Sequence, residues 1–188
     1  MRFNHTYPFT REDIYMSWWT REMCRDLKDY LLSLSFDGSY SPVVYFVGDV
    51  GDGRRAEVIA QELPFFAVHT ISQWNEKNGQ AVENMFDERV KFYNNIIKDK
   101  GTPQEYLDEI YSPAMVFIDS CKEPSCLQED FNFWLPRMRH GAIVAGNHYL
   151  LKTFKNHKVA FETRKVIVDT FLDEPHKVYP DGSWYRIL

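Results

Sequence analysis

The sequence is poor in the features that mark several specialised classes of protein. It has three cysteines in 188 residues, Cys24, Cys121 and Cys126, and no Cys-x-x-Cys pair of the kind that holds zinc. This small odd number argues against a disulfide framework and favours the reducing cytoplasm. No apolar stretch approaches membrane-spanning length, and the first residues lack the apolar run of a signal peptide. The sequence therefore predicts a soluble, cytoplasmic protein with no membrane partner.

Positive charge is not in excess either. The formal net charge is -5, which argues against nucleic acid as the main partner because such binders normally carry a basic face. A composition of 44% hydrophobic and 26% charged residues is typical of globular proteins. No repeat, low-complexity tract or Pro/Gly/Ser linker divides the chain. We therefore predict a single domain over residues 1–188, large enough to bury about two thirds of its unfolded surface.

What the sequence does contain is a regular alternation of strand and helix patterns. Apolar β-branched or aromatic runs predict strands, and amphipathic segments between them predict helices. The alternation indicates a doubly wound, mostly parallel α/β sheet over residues 42–150. Helices are predicted in residues 1–40, and residues 151–188 are expected to form a helix and an antiparallel hairpin. The predicted strands are 43–47, 65–68, 95–98, 115–118 and 142–145, and the predicted helices are 54–62, 80–93, one starting at 103, 125–135 and 163–171.

The ends of the fourth and fifth predicted strands carry the most informative side chains. Residues 114–119 form an apolar run that ends in Asp119, and the following strand is succeeded by Asn147 and His148. Ligands bind outside the carboxyl ends of parallel strands, so we expect these three side chains to face one crevice. An imidazole such as His148 suits a general base at neutral pH. A hydrogen-bonded histidine that merely caps the strand is the structural alternative.

A glycine-rich loop follows the first predicted strand. Gly48, Asp49, Gly51 and Gly53 lie between that strand and a predicted helix. Glycines at such a turn let backbone N–H groups approach a ligand closely. The loop lacks the Gly-Lys-Ser/Thr ending of a phosphate-binding P-loop. A turn that needs glycine only for its own conformation remains the alternative to a ligand site.

Together, these features resemble the class I methyltransferases that use S-adenosylmethionine (SAM). The resemblance covers residues 20–188, is most specific over residues 115–149, and is closest to the small-molecule O-methyltransferases of the catechol, sugar and macrolide type. It implies the Rossmann-like methyltransferase fold and places SAM over the glycine-rich loop. The chain departs from the family pattern acidic-x-Gly-x-Gly-x-Gly, because Val47 stands at the acidic position and Asp49 at the first glycine.

The resemblance also assigns the ribose end of the cofactor. It places His69 and Thr70 at the end of the second strand, with His69 where the family has an acidic residue that accepts hydrogen bonds from both ribose hydroxyls. A neutral imidazole offers one acceptor, so this change should weaken binding by about 1–3 kcal/mol. The full set of cofactor-binding residues expected from the resemblance is Gly48, Asp49, Gly51, Gly53, His69, Thr70 and Asp119.

For catalysis, the candidate residues are His148, Asp119 and Lys122. Lys122 would lower the pKa of an acceptor hydroxyl or bind an anionic substrate, and an inert loop lysine is the alternative. In catechol-type enzymes, the aspartate matching Asp119 joins an Asp-Asn pair to bind Mg²⁺, but here that pair reads Gly146-Asn147. Asp119, Asn147 and His148 are therefore weak candidates for a divalent metal site, and Mg²⁺ is the less favoured expectation.

The first functional hypothesis is a SAM-dependent O-methyltransferase acting on a small hydroxylated molecule such as a sugar or a phenol. A degenerate methyltransferase fold that serves as a binding or assembly module is the main alternative. A nucleotide- or sugar-binding enzyme that uses the same sheet for other chemistry is a third. The chain is short for the O-methyltransferases it resembles, so the acceptor would be covered by the N-terminal helix or by the partner subunit of a homo-oligomer.

Overall fold

The protein is organised around one seven-stranded β-sheet. The computed structural model describes residues 11–36, 41–75, 78–110, 112–119, 124–149 and 157–188, with side chains described except at 11–16, 109 and 157–161. The strands are β1 (Ser41–Gly48), β2 (Ala67–Ser72), β3 (Ile96–Lys100), β4 (Pro113–Asp119), β5 (Ile143–Gly146), β6 (Lys177–Val178) and β7 (Trp184–Ile187).

Helices connect most of these strands. The α-helices are α1 (Arg11–Phe36), α2 (Arg54–Glu62), α3 (Gly79–Val90), α4 (Pro124–Trp134) and α5 (His157–Phe171), and two 3₁₀ helices cover Pro103–Glu109 and Leu135–Arg137.

The strand order is β3-β2-β1-β4-β5-β7-β6. The first five strands of this order run parallel, whereas β7 pairs antiparallel with both β5 and β6. The chain leaves β1 toward one edge and returns at β4 toward the other, so the topological switch point lies between β1 and β4. The predicted doubly wound sheet and its antiparallel C-terminal hairpin are both confirmed.

The central strands are apolar throughout because both faces of the sheet are covered. On one face, Phe46 and Phe117 belong to a core that also contains side chains of α1, α2 and α3. On the other face, Tyr45 and Val116 pack in a second core with side chains of α4 and α5. A strand buried on both faces loses the alternation of polar and apolar residues that marks a half-exposed strand. The continuous apolar runs in the sequence are therefore explained by the helical layers on both faces of the sheet.

Several predicted boundaries differ from the observed ones. β2 was expected to end near His69 and Thr70, but it continues to Ser72. The helix expected at Pro103 is a 3₁₀ helix whose start is capped by reciprocal hydrogen bonds between Thr102 and Glu105. Among the described residues the N-terminal region contains one helix, α1, rather than several. Tertiary packing determines where these helices and strands end, and local sequence patterns carry no information about that packing.

The cysteines differ from expectation in one respect. Cys126, in the first turn of α4, is disulfide-bonded, and Cys121 lies outside the described residues. The expectation that the cysteines stay reduced is therefore wrong for Cys126, which weakens the argument from cysteine usage to a reducing compartment. Cys24 is a free thiol in the core, and burial raises its pKa to about 12. No helix in the described part of the chain is long and apolar enough to cross a membrane.

Candidate active site at the carboxyl ends of the strands

A cleft of about 740 Å³ opens at the carboxyl ends of the parallel strands. Its walls come from the ends of β1, β2 and β4, from the loop after β3, from α3 and α4, and from the segment after β5. This volume lies within the range of about 300–1,000 Å³ that is common for small-molecule sites. The cleft also lies at the topological switch point, where open α/β sheets bind ligands. Among the predicted site residues, it brings together Gly48, Asp49, Gly51, Asp119 and His148.

Two glycines of the loop after β1 serve different purposes. Gly51 has a φ of 52° and lines the cleft, and the nearest atom to a Cβ built there is a carboxylate oxygen of Asp49 at 3.8 Å. The backbone at Gly51 is therefore open to a ligand. Gly53 has a φ of 81° and does not line the cleft. A Cβ there would lie 2.7 Å from the ring of Phe86. Gly51 fits the predicted ligand-binding role, whereas Gly53 is required for packing against α3.

Asp119 is the centre of the polar network in the cleft. It ends β4 and is 8% exposed. Its Oδ1 accepts a hydrogen bond of 2.8 Å from the side-chain amide of Asn147, and its Oδ2 accepts one from the guanidinium of Arg55. A buried carboxylate needs such partners to offset the loss of its hydration. The sheet thus brings Asp119 and Asn147 together as the sequence predicts, and α2 adds a cation.

His148 lies beside Asp119 in an uncommon backbone conformation. Its φ is 65°, in the left-handed region, and its Nε2 lies 3.8 Å from Oδ1 of Asp119. A non-glycine residue in this region carries a cost that the surrounding structure must offset, and such residues are frequent at functional sites. The imidazole lines the cleft. His148 is therefore placed where a side chain can act on a ligand in the cleft.

The position before Asn147 has no room for a side chain. A Cβ on Gly146 would lie 2.8 Å from the carbonyl oxygen of Ile118 and 3.3 Å from the indole of Trp184. The same indole donates a hydrogen bond of 3.2 Å to the carbonyl of Asn147. Strand β7 therefore holds the backbone after β5, and β4 together with Trp184 of β7 leaves no room for a second carboxylate at residue 146.

The weak metal candidates Asp119, Asn147 and His148 do come together, but their arrangement does not suit a metal ion. Both oxygens of Asp119 already accept hydrogen bonds, one of them from the positively charged Arg55. Hard divalent ions need several free oxygen ligands. In the part of the chain whose residues are described, no group of three or more His, Cys, Asp or Glu side chains could hold a metal ion.

His69 and Thr70 lie inside β2 and do not line the cleft. The ring of His69 stacks on Tyr45, and its Nδ1 lies 2.8 Å from a carboxylate oxygen of Asp99 on β3. The hydroxyl of Thr70 donates to the carbonyl of Ile97. Because β2 runs to Ser72, the residues at its carboxyl end are Ser72 and Gln73, and both line the cleft. The expected placement of His69 and Thr70 followed from ending β2 too early.

Trp74 closes the side of the cleft next to the glycine-rich loop. Its φ is 46°, and its indole N–H donates a hydrogen bond of 3.3 Å to the carbonyl of Gly51. Its ring packs edge-on against Phe86, with the ammonium group of Lys98 over it. A Cβ on Gly79 would lie only 1.7 Å from the carbonyl oxygen of Trp74. The loop after β2 is thereby held against both the glycine-rich loop and the start of α3.

Other residues of the cleft were not singled out by the sequence. Gly101 and Thr102, after β3, line it, and so does Asp130 of α4. Trp134, also on α4, is buried and packs against Tyr45 at 5.0 Å between ring centroids. Lys122 lies outside the described residues. Polar residues after β3 could have been proposed from the strand-end rule alone.

The sequence matches no protein-family model and no curated protein. Solved structures do match the fold. A protein from Staphylococcus aureus assigned as a caffeoyl-CoA O-methyltransferase has a TM-score of 0.62 and 14% identity, over 96% of this chain and 93% of that one. An O-methyltransferase from Bacillus cereus, solved in complex with SAH, the demethylated product of SAM, has a TM-score of 0.54 and 15% identity, over 98% of this chain and 94% of that one.

A third similar structure is TomG from Streptomyces achromogenes, an O-methyltransferase involved in tomaymycin synthesis and solved in complex with SAM. Its TM-score is 0.54 and its identity is 16%, over 85% of this chain and 78% of that one. At these identities the likeness concerns the fold alone. The chain has the fold of the class I SAM-dependent methyltransferases.

Proposed function

We propose that the protein is a SAM-dependent methyltransferase that transfers the methyl group to a hydroxyl of a small molecule. The observation that carries this proposal is the meeting of Asp119 and His148 in a cleft beside the glycine-rich loop. A carboxylate, an imidazole and an open backbone turn are the groups that such a transfer uses. The O-methyltransferases of similar fold support the reaction class.

The residues of the cleft suit SAM. The cofactor, when bound, supplies a methyl group activated by a positively charged sulfonium. Gly48, Asp49 and Gly51 would hold its amino-acid end together with Asp119, because they combine an open backbone with carboxylates. At the end of β2, Ser72 and Gln73 offer hydrogen-bond acceptors for ribose hydroxyls, the role that the sequence assigned to His69.

His148 would take the proton from the acceptor hydroxyl. An alcohol or phenol is a better nucleophile as its proton leaves, and an imidazole accepts that proton near neutral pH. The carboxylate of Asp119, 3.8 Å from Nε2, stabilises the positive charge that the ring then acquires. The pair therefore provides both the base and the counter-charge.

The acceptor class, a cytoplasmic location and a homo-oligomeric state remain predictions from the sequence.

A non-catalytic binding or assembly module is the alternative, and one observation favours it. The charge of Asp119 is balanced internally by Arg55, so this carboxylate has a charged partner within the protein. A protein that had lost SAM could keep such a pair for structure alone. Binding of the cofactor separates the two proposals, because an assembly module has no need of it.

The experiment is calorimetric titration of the purified protein with SAM and with SAH, each with and without Mg²⁺. Micromolar binding, weakened in Gly51→Ala, would support the enzyme and justify a screen of hydroxylated acceptors. The folded state of the variant is checked by circular dichroism and thermal unfolding. Absence of binding to both compounds would overturn the proposal in favour of a non-catalytic module.

A further inference from the structure

We infer that Arg55 supplies the cation of this site and positions the carboxylate of Asp119, so that the cleft works without a divalent metal. In the catechol-type enzymes that the sequence resembles, the aspartate matching Asp119 helps to bind Mg²⁺. Here the side chains do not fit a metal ion, and a guanidinium contacts the carboxylate that would bind it. The positioning role rests on the proposed function, whereas the choice of guanidinium over metal does not.

The contact between Arg55 and Asp119 is an internal one. Arg55 is the second residue of α2, and the exposed fractions of the two side chains are 11% and 10%. A buried pair of this kind needs good geometry on both sides, and removal of one partner leaves an uncompensated charge. Arginine suits the role because its planar guanidinium keeps its charge and donates several hydrogen bonds to a carboxylate.

Both oxygens of Asp119 are engaged by neighbouring side chains. Oδ2 faces Arg55, and Oδ1 accepts from Asn147 at 2.8 Å with His148 nearby. A divalent ion on either oxygen would face the positive guanidinium and be repelled by it. It would also lack a carboxylate from residue 146, where no side chain fits beside Ile118. The geometry thus replaces a metal with an arginine in two independent ways.

The charge of Arg55 also acts on a second carboxylate. Asp181, in the turn between β6 and β7, is buried, and its Oδ1 accepts hydrogen bonds from the N–H and hydroxyl of Ser183. Burial raises the pKa of Asp181, and the charge of Arg55 is among the influences that oppose this rise. The charge of Arg55 therefore acts on acidic groups of both β4 and the C-terminal hairpin, and its direct contact is with Asp119.

The inference can be tested with three variants. Arg55→Ala removes the cation, Arg55→Lys keeps a charge without the planar fork, and Arg54→Ala is the matched control on the neighbouring residue, whose guanidinium pairs with Asp52 at 3.8 Å. For each protein, Mn²⁺ binding is followed by electron paramagnetic resonance, thermal unfolding gives Tm, and calorimetry gives SAH affinity. Methylguanidinium at millimolar concentration is then added to supply the missing cation.

If Arg55 fills the cation position, wild type binds no Mn²⁺ in the cleft and its SAH affinity is unchanged by EDTA. Arg55→Ala then has a lower Tm and binds SAH about tenfold or more weakly, as for loss of a charge-assisted hydrogen bond. Methylguanidinium restores part of the lost Tm and of the lost SAH affinity in Arg55→Ala. Both quantities are intermediate in Arg55→Lys and equal to those of wild type in Arg54→Ala.

Two results would overturn the inference. One is Mn²⁺ binding by wild type that is lost in Asp119→Asn, since a metal would then share the carboxylate. The other is an Arg55→Ala protein with the Tm and SAH affinity of wild type. If wild type binds no SAH at all, the proposed function fails, while Mn²⁺ binding and the rescue of Tm by methylguanidinium still decide whether Arg55 is the cation of the site.

Discussion

The backbone N–H of Asp49 donates a hydrogen bond of 2.8 Å to the backbone carbonyl of Asp119. In the sheet, Gly48 and Asp119 are directly paired in the register of β1 and β4. The glycine-rich loop and the central carboxylate are therefore joined through the main chain, independently of their side chains. The junction of these two strand ends therefore forms the base of the cleft.

His148→Asn should abolish the base while keeping the backbone conformation. Asparagine is among the few residues that tolerate a left-handed φ, which His148 adopts at 65°. We expect methyl transfer to fall by about 10²–10⁴-fold, the usual contribution of a general base, with SAH affinity unchanged. His140→Asn, at an exposed histidine before β5, is the control. Turnover equal to wild type would remove His148 as the base.

Gln73→Ala should weaken binding of SAH more than His69→Asn does. Gln73 lines the cleft at the end of β2, whereas His69 is engaged with Asp99 outside it. Loss of one neutral hydrogen bond corresponds to about a two- to tenfold loss of affinity. His69→Asn should instead lower Tm. Calorimetry and thermal unfolding of both variants check this, and the reverse order of affinities would show that the ribose lies at His69.

Gly53→Ala and Gly51→Ala should separate stability from binding. Both glycines have positive φ, but a Cβ at Gly53 meets the ring of Phe86 at 2.7 Å, whereas one at Gly51, which lines the cleft, meets no atom closer than 3.8 Å. We expect Gly53→Ala to reduce the free energy of unfolding by about 1–3 kcal/mol or more. Gly51→Ala should cost less stability and more SAH affinity. Urea unfolding and calorimetry measure the two quantities, and equal losses of stability would contradict the assignment.

Asp181→Asn should change how stability depends on pH. Burial raises the pKa of Asp181 in the folded protein above its ordinary value of 3.8. A carboxyl with a raised folded pKa stabilises the fold fully below its unfolded pKa, and this contribution is lost as pH rises through the folded value. Asparagine keeps an acceptor for Ser183 and does not titrate.

The free energy of unfolding of Asp181→Asn relative to wild type should therefore increase as pH rises above 3.8. Urea unfolding at a series of pH values measures this difference. Asp108→Asn, at an exposed aspartate, should show no such trend. A difference that stays constant would mean that the fold leaves the pKa of Asp181 unchanged, and one that falls with pH would mean that the fold lowers this pKa; either result would contradict the prediction.

The parts of the fold predicted correctly are those in which local pattern and burial agree. The run around Phe46 and the run ending at Asp119 are apolar because helices cover both faces of the sheet, so the sequence reports their environment directly. The helix over residues 54–62 was also predicted with its observed limits. The end of β2 was missed because its last residues, Ile71 and Ser72, owe their extended conformation to pairing with β1 and β3 rather than to pattern.

The residues of the site also divide into those that the sequence predicts and those that only tertiary contacts determine. Strand-end residues such as Asp119 and His148 can be predicted because every parallel strand delivers its carboxyl end to one edge of the sheet. Arg55 could not be predicted, because a charged residue in the first turn of a helix usually faces solvent. Its contact with Asp119 spans 64 positions of sequence and depends on the packing of α2. Only the three-dimensional structure distinguishes it from Arg54.

The insertion of β7 between β5 and β6 has a consequence for the order in which the molecule is built. Before residues 184–187 emerge from the ribosome, β5 is an unprotected edge with open hydrogen-bonding groups. The indole that holds the carbonyl of Asn147 is also missing at that stage. The five parallel strands can pair during synthesis, but the backbone next to His148 gains its hydrogen bond from Trp184 only when the chain turns back to add β7.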